Sequence, residues 1–205
     1  MSAIPLVFLI ACQLANVSNL VCPYYPSAIR GGNVVAVLET SKGGFVKRVV
    51  VLYGDEPFVE PTRSALVQWR LQSESDMPVL VVVNFRDPYL TMESSGNGVV
   101  LGPQDYTIKA ARYHSNVPVP TFVVDPFYPP SLVVMGAAVL QLKIKSSGAV
   151  GDVRAVQELG DLTQSAIEAV KKWTFIPARD QANNGVASSA FAVCVYRSLQ
   201  PPPEP

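Results

Sequence analysis

The feature that most constrains this chain is an internal repeat: the sequence matches itself when it is shifted by 104 positions. Over residues 24–69 the shift gives eleven identities without a gap, and these include tryptophan, tyrosine, proline and glycine. The pairs are Tyr24/Tyr128, Pro26/Pro130, Ser27/Ser131, Gly32/Gly136, Val35/Val139, Leu38/Leu142, Gly44/Gly148, Val46/Val150, Val49/Val153, Ala65/Ala169 and Trp69/Trp173. Because such self-similarity means that one structural unit is built more than once, the sequence predicts two copies of one module with a connector between them.

Each copy is predicted to open with an antiparallel hairpin. Apolar residues alternate with other residues over 34–40 and again over 138–145, which is the period of a β-strand. A glycine follows each strand, Gly44 or Gly148, and glycine supplies the positive φ that a tight hairpin turn requires. The second strands are predicted at Phe45–Tyr53 and Ala149–Val156.

A helix and a closing strand are predicted to complete each copy. The apolar spacing changes to a helical stripe, which runs from Phe58 to Trp69 in the first copy and from Leu162 to Trp173 in the second. We expect both tryptophans to pack their helix against the sheet. The closing strands are predicted at Val79–Phe85 and Ser189–Tyr196.

The predicted fold class is α+β, with two tandem strand–strand–helix–strand units, each a small antiparallel sheet with a helix on one face. Five segments are predicted along the chain. They are a signal-like or lipoprotein-type N-terminal segment (1–22), repeat 1 (23–86), a connector containing proline and glycine (87–127), repeat 2 (128–197) and a proline-rich tail (198–205).

The N-terminal segment contains an apolar run of 13 residues from Ala3 to Ala15. A bilayer-spanning helix needs about 20 such residues, so the run fits the hydrophobic region of a signal peptide better, although the first cationic side chain is Arg30. The sequence ending at Cys12 fits a bacterial lipobox, which makes Cys12 a candidate lipidation site. Lipidation, ordinary cleavage, an uncleaved membrane anchor and a buried cytoplasmic segment all remain open.

The composition argues against several functional classes. Lys+Arg and Asp+Glu are both 16, so the chain lacks the basic field that attracts nucleic acid. The single histidine, His114, excludes zinc sites with two or more histidines, and we expect it in a surface loop. Cys22 and Cys194 could form a disulfide in an oxidising compartment, but we favour Cys194 as a small apolar strand residue. We predict no catalytic site, no metal site and no cofactor.

The second copy resembles the C-terminal domain of the TonB family. The resemblance rests on a Tyr128-Pro129-Pro130 opening, a Gly148-x-Val150 hairpin, and a helix that runs into Trp173-Thr174-Phe175-x-Pro177-Ala178. Residues 128–197 resemble that family nearly throughout. The first copy resembles it more weakly, because Arg70-Leu71-Gln72 replaces the ending after the tryptophan.

The resemblance implies a protein-binding module of the cell envelope or periplasm that takes part in TonB-dependent transport. Domains of this family grip an extended receptor peptide along a sheet edge, and an open edge can accept a strand because its N–H and C=O groups are unpaired. The closing strand of the second copy is the edge we expect to bind the partner: Ala190, Phe191, Ala192, Val193, Cys194, Val195 and Tyr196. The expected partner is a receptor peptide or another periplasmic protein, not a nucleic acid.

An alternative function is a periplasmic or lipid-anchored adaptor that uses the TonB-like fold without transducing energy. TonB proteins carry an inner-membrane helix and a long spacer rich in proline, lysine and glutamate, whereas here the first copy follows directly on a short apolar segment. Membrane anchoring through the N-terminus would fit either function.

Overall fold

The computed structural model describes residues 16–27, 30–72, 77–89, 98–101, 117–129 and 132–198. The predicted lipidation site Cys12, His114 and residues 199–205 of the tail lie outside these ranges. The elements, in chain order, are β1 Asn16–Asn19, β2 Gly32–Thr40, β3 Val46–Gly54, α1 Val59–Leu66, β4 Arg70–Gln72, β5 Val79–Phe85, β6 Gly98–Val100, β7 Val119–Val124, β8 Gly136–Ile144, β9 Val150–Gln157, α2 Leu162–Val170, β10 Thr174–Ile176, β11 Ala178–Arg179, β12 Gly185–Val186 and β13 Ser188–Tyr196.

One six-stranded sheet organises the chain, with strand order β3-β2-β5-β13-β8-β9. The chain is α+β as predicted, but the two small sheets expected from the sequence are joined into a single one. The three strands on either side of the junction are antiparallel to one another. The junction itself is parallel: β5 and β13 run side by side, with Val81 opposite Phe191 and Val83 opposite Val193.

The two helices lie on opposite faces of this sheet. The α1 face buries Leu66 and Trp69 against one set of alternate strand residues, and the α2 face buries Val170 and Trp173 against the other set. This follows from the parallel junction. The two halves have the same order of elements, and their adjacent strands β5 and β13 are parallel. A half-turn about an axis along these strands therefore superposes one half on the other. The same half-turn turns the sheet over, so the two helices lie on opposite faces.

Both faces of the sheet are covered, which explains the nearly continuous apolar runs in its inner strands. In β5 the residues from Leu80 to Phe85 are all buried, and in β13 the residues from Ala190 to Tyr196 are all buried. Strands that are buried on both faces lose the apolar–polar alternation of a half-exposed strand. The alternation that does appear in β9, where Asp152 and Arg154 are exposed, marks the outer edge.

The two hairpins have the same register, including their irregularities. Val35 lies opposite Tyr53 and Ala36 opposite Val51, which leaves one extra residue in β3. In the second hairpin Val139 lies opposite Gln157 and Leu140 opposite Ala155, which leaves the equivalent extra residue in β9. A second register shift near each turn, between Glu39 and Thr40 or between Leu142 and Ile144, also corresponds.

Extended segments preceding each hairpin pack as arms across the helix-bearing faces. Residues 16–22, which the sequence assigned to the N-terminal segment, contribute β1, which pairs with β4. Residues 117–124 of the predicted connector contribute β7, which pairs with β10 and β6. The tryptophan indoles hold these arms: Trp69 Nε1 donates to the Val21 carbonyl at 2.7 Å, and Trp173 Nε1 donates to the Val124 carbonyl at 2.9 Å.

The helices are shorter than their apolar stripes. Each ends three residues before its tryptophan, and a turn follows in which the Trp69 N–H donates to the Leu66 carbonyl and the Trp173 N–H donates to the Val170 carbonyl. Both tryptophans are about 1% exposed, so their predicted packing against the sheet is confirmed. Among the described residues no helix has the length and apolarity needed to cross a membrane.

Candidate functional site

The strand predicted to bind a partner is not an edge of the sheet. Residues Ala190, Phe191, Ala192, Val193, Cys194, Val195 and Tyr196 belong to β13, which pairs with β8 on one side and with β5 on the other. Each of the seven residues is at most 2% exposed. The prediction of an edge here was wrong because it treated the second unit alone, whereas the first unit supplies β5 to the side that a three-stranded sheet would leave open.

A polar cluster beside the β5–β13 junction joins β5 to β2 and to the residue that follows β7. The Asn84 side-chain amide donates to the side-chain oxygens of Asn33 and Asp125, at 3.0 and 2.5 Å. Burial raises the pKa of Asp125, although the hydrogen bond from Asn84 and the charge of Arg86 oppose that rise. Each polar group in this cluster that loses its partner would remain buried, so the cluster favours one arrangement of the two halves.

Two arginine–tyrosine contacts cross the same junction in reciprocal fashion. Arg86, which follows β5, places its guanidinium carbon 5.2 Å from the Tyr128 ring centre. Arg197, which follows β13, places its guanidinium carbon 5.8 Å from the Tyr25 ring centre. Each contact joins one half of the chain to the other, and the buried Arg86 also donates from Nε to the Pro126 carbonyl at 3.0 Å.

Cys22 and Cys194, the two cysteines within the described ranges, are free thiols. Cys194 lies at the centre of the sheet and is fully buried, as expected for a small apolar strand residue. Cys22 lies on the first arm, where its sulfur accepts a hydrogen bond from Gln157 Nε2 at 3.1 Å. Burial raises the pKa of both thiols, so neither is an activated nucleophile. Among the described residues no group of three metal-ligating side chains is assembled.

The true edges of the sheet are β3 and β9. Each has one neighbour in the sheet, β2 or β8. The Asn33 carbonyl accepts a hydrogen bond from the Asp55 N–H at 3.1 Å, so the backbone groups of Asn33 point toward β3. Backbone groups point to opposite sides at successive residues of a strand, so those of Leu38, five residues later, point toward β5. Val49 is opposite Leu38, and its own N–H and C=O therefore point to the outer side of the edge.

The hairpin tips at these two edges share a backbone but differ in their side chains. The Ser41 N–H donates to the Phe45 carbonyl at 2.9 Å, and the equivalent Lys145 N–H donates to the Ala149 carbonyl at 2.9 Å. Single β-bridges join Phe45 to Arg70 and, equivalently, Ala149 to Thr174. We call the first tip the β3 tip; its residues Lys42, Phe45, Lys47, Arg48 and Arg70 stand where the second has Ser146, Ala149, Gly151, Asp152 and Thr174.

The β3 tip is basic and carries an exposed aromatic ring. Phe45 is 55% exposed, and the Arg70 guanidinium carbon lies 4.4 Å from the centre of its ring. Arg48 is partly neutralised by Glu39 at 3.2 Å. Lys42 and Lys47 are exposed, and neither forms an ion pair with a residue that the structure describes. Sequence reasoning missed this tip, although the aligned copies contain the signal: basic and aromatic residues align with small, polar or acidic ones.

Comparison with known protein families gives a match within the second half of the chain. Residues 126–193 match the family model described as the Gram-negative bacterial TonB protein C-terminal. The predicted resemblance is confirmed over this segment, which is about a third of the chain and runs from the end of the second arm into β13. Comparisons with curated proteins and with solved structures gave no significant match.

Proposed function

We propose that the chain is a protein-binding module of the TonB family in the cell envelope or periplasm, and that it takes part in TonB-dependent transport. The observation that carries this proposal is the match of residues 126–193 to the TonB C-terminal family, whose domains are protein-interaction domains. The proposed activity is binding an extended peptide, without a catalytic step.

We further propose that the chain contains two copies of one unit, fused so that they form one sheet. The shared hairpin register, the equivalent tips and the two tryptophan-held arms support this proposal. The two arms also correspond to each other. Each repeat therefore begins earlier in the chain than the predicted ranges 23–86 and 128–197. An extended peptide would then bind at an outer edge of the sheet, because the closing strands β5 and β13 pair with each other.

The adaptor function is the second candidate, and the position of β13 favours it. The closing strand of the better-matched unit is paired on both sides, so a peptide could add there only by displacing β5. Displacement would break the parallel pairing and expose the buried cluster around Asn84 and Asp125. A module that keeps its sheet intact would bind a different envelope protein, or the same peptide at a different edge.

Binding of receptor peptides separates the two candidates. The transport function predicts that the full chain binds synthetic peptides from the periplasm-facing segments of outer-membrane receptors, with an affinity of about micromolar or better. Fluorescence anisotropy with labelled peptides measures this, and peptides of the same composition in scrambled order are the control. Binding no stronger than the scrambled peptides would contradict the transport function and leave the adaptor.

A further inference from the structure

The side chains of the β3 tip and the adjoining β3 edge differ from those of the equivalent tip and edge in the second half, where Lys143 and Lys145 in turn replace Glu39 and Ser41. At five equivalent positions the first half carries a basic or aromatic residue and the second half carries a small, polar or acidic one. Because the backbone bonds of the two tips are equivalent, folding alone does not require this difference. The side chains of the β3 tip are therefore available for a role that the second tip does not share.

The chemistry of the β3 tip suits an acidic partner. The Arg70 guanidinium carbon lies over the Phe45 ring, and the group has five N–H donors with which it can bind a carboxylate. Lys42 and Lys47, both within three residues of Phe45 in the chain, add two exposed positive charges. The exposed fraction of Phe45 leaves apolar surface on which an aliphatic or aromatic side chain of the partner can pack.

The adjoining edge suits an extended partner. Val49, Val50, Val51, Leu52 and Tyr53 form an uncharged run of strand-favouring residues in β3, without proline. The equivalent residues of β9, from Val153 to Gln157, include the charged Arg154, and a charge on an edge strand discourages added strands. β4 already lies alongside the start of this edge, where the Leu71 N–H donates to the Gly44 carbonyl at 2.9 Å, so the outward N–H and C=O of Val49 are the groups to which an incoming strand would bond.

We propose that an acidic, extended peptide segment of a partner protein adds to β3 as a further strand, with its carboxylates on Lys47 and Arg70 and an apolar side chain on Phe45. This inference rests on the proposed protein-binding function and names the edge and the chemistry of the partner. An anionic membrane surface would use the positive charges but not the open strand edge, so the peptide is favoured.

Binding of a synthetic peptide to the full chain tests the proposal. The probe is a short labelled peptide of alternating glutamate and valine, with a lysine–valine peptide of the same length as its charge control. The glutamate peptide should bind and the lysine peptide should not. The double variant Lys47→Glu with Arg70→Glu should weaken binding about tenfold or more, because attraction becomes repulsion. Lys145→Glu makes the same kind of charge change at the other tip and should leave binding unchanged.

A matched pair of prolines tests the strand edge itself. Val49→Pro removes the outward N–H of β3, and Val153→Pro removes the equivalent N–H of β9. Both variants are first shown to fold by thermal melting, and Val49→Ala is the control for loss of the valine side chain. Val49→Pro should weaken binding about tenfold more than Val49→Ala, while Val153→Pro should bind like the wild type. If Val49→Pro does not fold, exchange protection of the Val49 amide on peptide addition provides the same test.

Several results would overturn the proposal. One is equal binding of the glutamate and lysine peptides, and another is equal loss of binding in Lys145→Glu and in the double variant. Stronger binding to vesicles of anionic phospholipid than to the peptide would assign the tip to a membrane. If receptor peptides bind the wild type and the double variant with equal affinity, the proposed function stands and this inference fails. If only the glutamate peptide binds, the inference stands and the transport function fails.

Discussion

Replacing Trp173 by alanine is expected to lower the unfolding free energy of the whole chain by about 3–5 kcal/mol. The indole is about 1% exposed, so its removal leaves a large cavity between α2 and the sheet. The Val124 carbonyl also loses the hydrogen bond from Nε1, and with it the arm β7 loses its attachment. Against a total stability of about 5–15 kcal/mol, this is a large fraction.

Thermal melting followed by circular dichroism measures the effect of Trp173→Ala, with Tyr24→Ala as the control. Tyr24 is also aromatic but is 65% exposed, so its removal should change the unfolding free energy by no more than about 0.5 kcal/mol. Because the parallel strands join the halves, the fluorescence of Trp69 should change at the same lowered temperature. If the Trp69 fluorescence of the variant still changed at the wild-type melting temperature, the two halves would not unfold as a single cooperative sheet.

Replacing Gly148 by alanine is expected to lower the unfolding free energy by more than about 2 kcal/mol. Gly148 has a φ of +85°, and a Cβ there would lie 1.8 Å from the Phe175 carbonyl oxygen. The collision is with backbone, which cannot turn aside as a side chain can. The N–H of Phe175 donates to the Gly148 carbonyl at 2.9 Å, so the change also separates the hairpin tip from β10.

Chemical denaturation of Gly148→Ala and Gly43→Ala gives the comparison. At Gly43, next to the equivalent turn glycine of the first half, a Cβ would come no closer than 3.4 Å to any atom beyond its chain neighbours, so alanine should cost no more than about 0.5 kcal/mol. Equal stability of the two variants would show that the hairpin tip does not approach β10 as closely as the structure places it.

Much of the fold could be predicted from the sequence because each half carries local signals. The alternation over 138–145, the turn glycine Gly148 and the stripe ending at Trp173 define the hairpin and helix without reference to the other half. The closing strand Val79–Phe85 has the predicted bounds. The pairing of β5 with β13 could not be predicted, since a strand buried on both faces shows the same apolar run whichever strand lies beside it.

The alignment of the two arms shows where an ungapped comparison fails. The sequence aligns Tyr24 with Tyr128, but Tyr25 occupies the equivalent place. Its ring centre lies 5.7 Å from that of Phe85, as the Tyr128 ring centre lies 6.0 Å from that of Tyr196. The arm has no helix or ladder that fixes its length, so it can differ by one residue, while the hairpin register cannot shift without turning its core residues outward.

The candidate site was predicted less well than the fold. We expected Ala190–Tyr196 to bind a partner because the second half resembles the TonB C-terminal domain. That expectation did not consider that the first half could pair with the same strand. The β3 tip has no motif of its own. Its signal is the difference between aligned positions, such as Phe45 and Ala149. That difference can be interpreted only when the structure shows that the backbone contacts of the two tips are equivalent.

Residue-resolved amide hydrogen exchange, with and without the glutamate–valine peptide, tests the central claim most directly. The claim is that the two halves form one sheet whose partner-binding edge is β3. In the free chain the Val193 amide should be among the slowest to exchange, because β13 is paired on both sides, while the outward amides of Val49 and Val153 should exchange fast. On peptide addition the Val49 amide should become protected and the Val153 amide should not. Fast exchange at alternate amides of β13 in the free chain, or new protection there on peptide addition, would contradict the account.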